Sequence, residues 1–412
     1  MSPVSWSTAP AGATPREKRN FLNVQIDGVG VGFATSASPF LPVFLARLGA
    51  TNAQVGLLTA MPGLTGLLLA ILIGRFLQGR RQIVPWFSAG RLLVISSYAM
   101  TGLITFLVPP QMAVYAVLAI WALATLPQVV VNVSFSVVMN AVAGPQHRYE
   151  LMSRRWTLLG LTSAVTVAVV GQVLDLVAFP INYQLVFVGL SLGGLVSYYF
   201  SSHIDLPDAE PVAETPGLSL RQRFRGYANL IGSERPFVSF MTKRFVYMFG
   251  VTLGAPLFPL YFVRQLNATD AWIGVLNTVQ TAIMLLGYAL WTRLSKSRGS
   301  RFVLLCTVFG MALYPALTAM TDRMEVVVIY AGLAGIFQAG LDLVFFDELM
   351  KTVPPAYSAT FVSLAQSLQN MAMVASPLLG AWLADQIGLS GALLVSAGLR
   401  MVGFILFVRG ER

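Results

Sequence analysis

Between Leu92 and Gln146 the chain carries no Asp, Glu, Lys or Arg. A helix crossing the roughly 30 Å hydrocarbon core of a bilayer needs about 20 mostly apolar residues, so this run alone has room for two crossings. Many similar runs follow. Of the 412 residues, 56% are hydrophobic and 11% are charged, against about 25% charged in ordinary soluble domains. One membrane span attached to a soluble domain is therefore excluded. The reading is an all-α polytopic membrane protein.

Twelve spans are predicted, at about 20–46, 52–74, 84–108, 112–142, 154–178, 183–201, 236–264, 271–292, 302–321, 325–350, 358–386 and 390–408. Twelve crossings place both ends of the chain on one side. Basic residues choose that side: twenty, among them Arg16, Arg80, Arg154, Arg155, Arg221, Arg301 and Lys351, fall on the terminal side, while Arg47, Arg264 and Arg323 fall on the other. The positive-inside rule then predicts cytoplasmic termini in the cell's inner membrane. The net charge of +10 is spread over these short connections, which sets topology and argues against nucleic acid. The first residues lack a cleavable signal pattern. A single cysteine, Cys306, and two histidines, His147 and His203, both expected in loops, leave no metal cluster; no cofactor is expected.

The chain divides into a tail (1–19), a first six-helix bundle (20–201), a linker (202–235) and a second bundle (236–412). The linker opens acidic and Pro-rich, then turns basic and amphipathic over Leu218–Ile231, as a helix lying on an anionic leaflet would. The two bundles repeat. Pro39-Phe-Leu-Pro42 through Arg47 to Ala50-Thr51-Asn52-Ala53 and Gly56 aligns with Pro256-Leu-Phe-Pro259 through Arg264 to Ala268-Thr269-Asp270-Ala271 and Gly274, at a spacing of about 217. Further along, Arg91 aligns with Arg301, Asn132 with Asp342, Phe135 with Phe345, Pro145 with Pro355 and Asp175 with Asp385, at a spacing of 210. The paired prolines are expected to break the outer ends of helices 1 and 7. Duplicated halves of this kind build many secondary transporters, with substrate sites near the midplane.

With twelve spans, parallel halves and a central linker, the chain resembles the major facilitator superfamily over nearly its whole length. The loop Gly74-Arg75-Phe76-Leu77-Gln78-Gly79-Arg80-Arg81 is similar to the family's signature loop between helices 2 and 3 but lacks its aspartate. In the second copy Lys296 stands at that position. The resemblance implies pseudo-symmetric six-helix bundles, alternating access, and a cavity lined by helices 1, 4, 7 and 10 with help from 2, 5, 8 and 11. A subfamily is not indicated.

Ionisable residues inside spans are functional candidates, because a charge at the bilayer centre costs several kcal/mol. Asp27 lies about two turns inside helix 1, and its repeat mate is Arg244; the two are expected to face each other as acid and base. Asp342 in helix 10 is a second acid at similar depth. Asp27 and Asp342 are thus the proton-carrying candidates. Polar stripes mark faces that meet water: Asn23 with Asp27, Gln128 with Asn132, Asn277 with Gln280, Gln338 with Asp342, and Gln366 with Asn370. Together with Arg244 and Tyr247 these are the candidate substrate contacts. Arg75, Arg81, Arg298, Asp347 and Glu348 are candidate gate residues near the terminal side. Arg91 is placed at the cytoplasmic end of helix 3, and Arg400 is read as structural, packed against helix 10 or 11.

Few charges among many aromatic residues suit an amphiphilic organic solute. The expectation is a monomeric, proton-coupled antiporter performing multidrug or metabolite efflux, with uptake or lipid flipping on the same scaffold as alternatives. An intramembrane enzyme would need a nucleophile with a base or a metal set, and the sequence offers neither.

Overall fold

The computed structural model describes residues 13–207, 234–352 and 358–409. Their regular structure is helical throughout. In chain order the helices are α1 (Pro15–Thr35), α2 (Phe40–Arg47), α3 (Asn52–Gln78), α4 (Val84–Leu107), α5 (Pro110–Leu176) and α6 (Ile181–Ser202). The second half holds α7 (Arg235–Gly254), α8 (Leu257–Arg264), α9 (Asp270–Arg298), α10 (Ser300–Ala319), α11 (Met324–Thr352) and α12 (Ser358–Arg409). The expected amphipathic helix at Leu218–Ile231 lies outside the described residues.

Local chemistry explains the boundaries. Thr14 caps α1 in a reciprocal box with Glu17, and Pro15 occupies the first helical position, which supplies orphan amide donors with partners. The expected breaks fall where the paired prolines stand. α1 stops at Thr35 and α2 resumes at Phe40; α7 stops at Gly254 and α8 resumes at Leu257 behind Pro256. The same interruption thus recurs 217 residues on.

Two helices are too long for one crossing. The 67 residues of α5 would extend about 100 Å at 1.5 Å per residue, so α5 contains two apolar spans, Met112–Ala143 and Arg154–Leu176. In α12 the backbone leaves helical angles at Gly388 (φ 77°, ψ 166°). Only glycine adopts that region without strain, and there the chain turns between two further spans. Among the described residues eleven stretches are long and apolar enough to cross a membrane, and the last, Leu364–Arg409, holds this doubled pair. Leu107, Leu123 and Leu176 are among many large apolar side chains left exposed, as a lipid-facing surface requires. His147, expected in a loop, lies inside α5. His203 does follow the end of α6.

Two compact units emerge. One comprises Met1–Leu41 with Leu68–Ala213, the other Pro42–Leu67 with Glu214–Arg412. The packing therefore groups α2 and the first half of α3 with the second repeat rather than with their own.

Candidate functional site

In the first unit, α1 carries Asp27-Gly28-Val29-Gly30-Val31-Gly32. The glycines let two helices come close. A Cβ on Gly30 would stand 2.8 Å from the Gly193 carbonyl oxygen and the Ser197 amide nitrogen of α6, and one on Gly32 would stand 2.6 Å from the Leu159 carbonyl of α5. Gly28 makes room for the Arg155 side chain, whose Cγ would lie 2.9 Å from an added Cβ. The approach brings Ser197 Oγ to donate to Asp27 Oδ1 at 2.6 Å and Arg155 Nη2 to donate to Asp27 Oδ2 at 3.0 Å. Asp27 is wholly buried and Arg155 nearly so. The Arg155 guanidinium also sits 4.9 Å over the Phe135 ring. Arg91 is buried as well, its guanidinium 4.9 Å over Phe87.

This differs from the expected pairing of Asp27 with Arg244. The counter-charge of Asp27 is Arg155, a residue that charge counting assigned to the terminal side. Arg155 in fact starts the second span of α5 and turns inward. Asn23 is buried too, donating from Nδ2 to the His203 carbonyl at 2.8 Å, so it fastens α1 to the end of α6.

In the second unit, Asp342 on α11 is exposed yet lies within the span Met324–Leu349. Its Oδ1 accepts from Gln338 Nε2 at 2.7 Å and its Oδ2 from the Tyr288 hydroxyl of α9 at 3.0 Å. Both donors are neutral. The repeat-equivalent pair in the first unit, Gln128 donating to Asn132 at 2.8 Å, has the same i,i+4 geometry with no titratable member. Tyr288 was not legible beforehand because it belongs to a different helix and to no polar stripe.

Arg244 on α7 donates from Nη2 to Gln369 Oε1 at 3.2 Å and lies 5.5 Å over the Phe345 ring. It borders an apolar pocket between α7 and α12 with Met241, Phe245, Met248 and Leu368. Tyr247, expected as a substrate contact, is instead fully buried, with its hydroxyl donating to the Val308 carbonyl at 3.2 Å. Arg400 is fully buried and donates to the Met311 carbonyl of α10 at 3.1 Å and the Val251 carbonyl of α7 at 3.5 Å. It is structural, as expected, but packs against these two helices. The remaining amides satisfy themselves locally: Asn277 donates to the Ile273 carbonyl at 2.8 Å and Gln366 to Asn370 at 3.3 Å, while Gln280 is half-buried.

Of the gate candidates, the Arg75 side chain lies outside the described residues, and Arg81 is exposed. Arg298 lies 5.1 Å over Phe302. Asp347 and Glu348 meet Lys351 at 2.6 and 2.9 Å, and Glu348 accepts from Ser300 at 2.7 Å. Burial opposes the charge on Lys351, but hydrogen bonds to Asp347 and Glu348 outweigh it and hold the ammonium above its ordinary value.

The opposite end of the second unit holds a reciprocal clasp. Arg47 donates to Asp270 at 3.0 Å and to the Ala268 carbonyl at 3.1 Å. Arg264 donates to Asn52 at 2.5 Å and to the Ala50 carbonyl. In the repeat alignment Arg47 matches Arg264, Ala50 matches Ala268, and Asn52 matches Asp270, so each arginine seizes the equivalent turn of the other copy. Asn52 also donates to Asp385 at 2.7 Å. The signal was present in the sequence as two arginines, at matched positions, on the arginine-poor side.

Residues 240–412 match the family model described as Major Facilitator Superfamily. No curated protein sequence matches the chain. Solved structures do. A bacterial homologue of the iron transporter ferroportin shares 14% identity with a TM-score of 0.73, over 96% of this chain and 99% of that one. The nucleoside transporter NupG shares 12% with a TM-score of 0.70, over 95% and 99%. The human organic anion transporter MFSD10 shares 16% with a TM-score of 0.62, over 96% and 100%. The chain thus has the fold of these solved structures along nearly its whole length, and its second half, residues 240–412, is similar in sequence to the Major Facilitator Superfamily.

Proposed function

We propose that this protein is a proton-coupled secondary transporter that exports a small amphiphilic organic solute by alternating access. Both termini face the cytoplasm, and the solute is carried by alternating access. The observation that carries the reading is Asp342: a carboxylate inside a membrane span, exposed, and held by Gln338 and Tyr288 with no cationic partner among the described residues. Such a group gains and loses a proton without breaking an ion pair. Asp27 cannot do so cheaply, because its proton would have to displace Arg155 and Ser197. Asp342 therefore carries the proton and Asp27 holds the first unit together. Within the second unit, Gln280, Gln366 and Asn370 supply neutral hydrogen-bonding groups to the solute.

The test is flux in proteoliposomes under an imposed pH gradient, using the solute that most stabilises the purified protein. Asp342→Asn is expected to abolish the gradient-driven component. Gradient-driven flux at the wild-type rate in that variant would overturn the assignment.

A further inference from the structure

The repeat sets one guanidinium in each half against an equivalent ring. Phe135 and Phe345 correspond, with Arg155 lying 4.9 Å over the first and Arg244 5.5 Å over the second. In the first unit Asp27 balances the charge at 3.0 Å. In the second, the hydrogen-bond partner of Arg244 is the neutral Gln369, and among the described residues no carboxylate pairs with it. Arg244 lies nine residues into α7, about 14 Å along the helix and inside the apolar stretch Arg235–Arg264, which is long enough to cross a membrane. A charge inside a span is costly to keep and calls for a partner.

The sequence explains why Arg244 stays open. Where the first copy has Gly28, Gly30 and Gly32, the second has Phe245, Tyr247 and Phe249. These bulky side chains fill the places of the glycines that admit Arg155 and Ser197 to Asp27, while α7 still crosses α12 closely at Gly403, where an added Cβ would stand 2.7 Å from the Tyr247 Cβ. What remains is the pocket beside Arg244. That pocket is small, about 10 Å³, and a neighbouring cavity of about 220 Å³ shares Met241, Phe245 and Leu368 with it and reaches Phe237, Leu364 and Met371. One end is cationic and the rest is apolar.

We infer that this unit binds an amphiphilic organic carboxylate, with its head on Arg244 and its apolar body along the cavity between α7 and α12. The ligand's carboxylate takes the place that Asp27 holds against Arg155. A guanidinium grips a carboxylate through two parallel hydrogen bonds, and Gln369, whose oxygen already accepts from Arg244, keeps its amide donors for the same head group. The inference deepens the transport reading by naming the substrate class.

The experiment is thermal unfolding of the purified full-length protein with 4-phenylbutyrate, its neutral amide, and 4-phenylbutylamine. The carboxylate is expected to raise the Tm, and the amide and amine are not. Arg244→Gln is expected to weaken the carboxylate effect at least tenfold in concentration, and Arg244→Lys to retain part of it. Leu368→Trp, which fills the cavity and spares the charge, is expected to remove it and serves if Arg244→Gln does not fold. Equal shifts from carboxylate and amide, or a carboxylate shift that survives Arg244→Gln, would overturn the inference. So would an Arg244-dependent shift seen only in phosphatidylglycerol nanodiscs, which would make this a lipid-headgroup site. No pH gradient enters the measurement, so failure here leaves the Asp342 assignment standing.

Discussion

A carboxylate that gives one oxygen to a guanidinium and the other to a hydroxyl is committed to both. Asp27 is in that position with Arg155 and Ser197, out of contact with solvent. Removing one member of a buried pair leaves the other charge stranded, at a cost of about 3–5 kcal/mol, whereas replacing both by apolar groups is often neutral. Asp27→Asn is therefore expected to lower thermal stability by that order, and Asp27→Leu combined with Arg155→Met to recover most of it while keeping pH-driven flux. A stable double variant without pH-driven flux would move the proton from Asp342 to Asp27. Asp342 has the opposite surroundings. Its donors are an amide and a phenol, both compatible with a neutral or a charged acid. Both acids were legible in the sequence as charges within spans. Their different duties were not, because Arg155 and Tyr288 reach them from other helices.

At the scale of elements, the helices themselves were largely readable. Long apolar runs demand spans, and the paired prolines mark the breaks between α1 and α2 and between α7 and α8. Span-level reading fails where packing decides. Charge counting set Arg155 on the terminal side at the start of the span 154–178, yet Gly28 leaves space on α1 for it to enter the core. The clasp was likewise invisible as a contact, although its four residue types were aligned by the repeat. It fastens the turn at Ala50–Asn52 to the turn at Ala268–Asp270, with Asp270 nearly buried and Arg47 about 29% exposed. Breaking it with Arg47→Ala and Arg264→Ala together is expected to speed amide hydrogen exchange at residues 48–52 and 265–269 by tenfold or more, with little change near Asp27. Unchanged exchange in both turns would show that helix packing alone holds this end. Gly63 supplies such packing, since a Cβ there would stand 3.0 Å from the Asn370 carbonyl of α12; Gly63→Leu is expected to lower the Tm of the whole protein.

For the whole molecule, the duplication has been put to unequal use. One copy closes its charged site with glycines and an internal ion pair, and in the other an acid and a base, Asp342 and Arg244, have no charged partners among the described residues. In the transport account that asymmetry divides the labour. We propose that the first unit stays rigid while the second exchanges protons and solute. The account makes Asp342 the coupling group and predicts that proton movement and solute movement separate when it is neutralised. The direct measurement compares wild type and Asp342→Asn in pyranine-loaded proteoliposomes, reading internal pH and labelled solute in one experiment. The wild type is expected to move protons as solute crosses. The variant is expected to keep solute exchange between equal pools while proton movement falls to the level of empty liposomes. Proton movement at the wild-type rate in the variant would contradict the account.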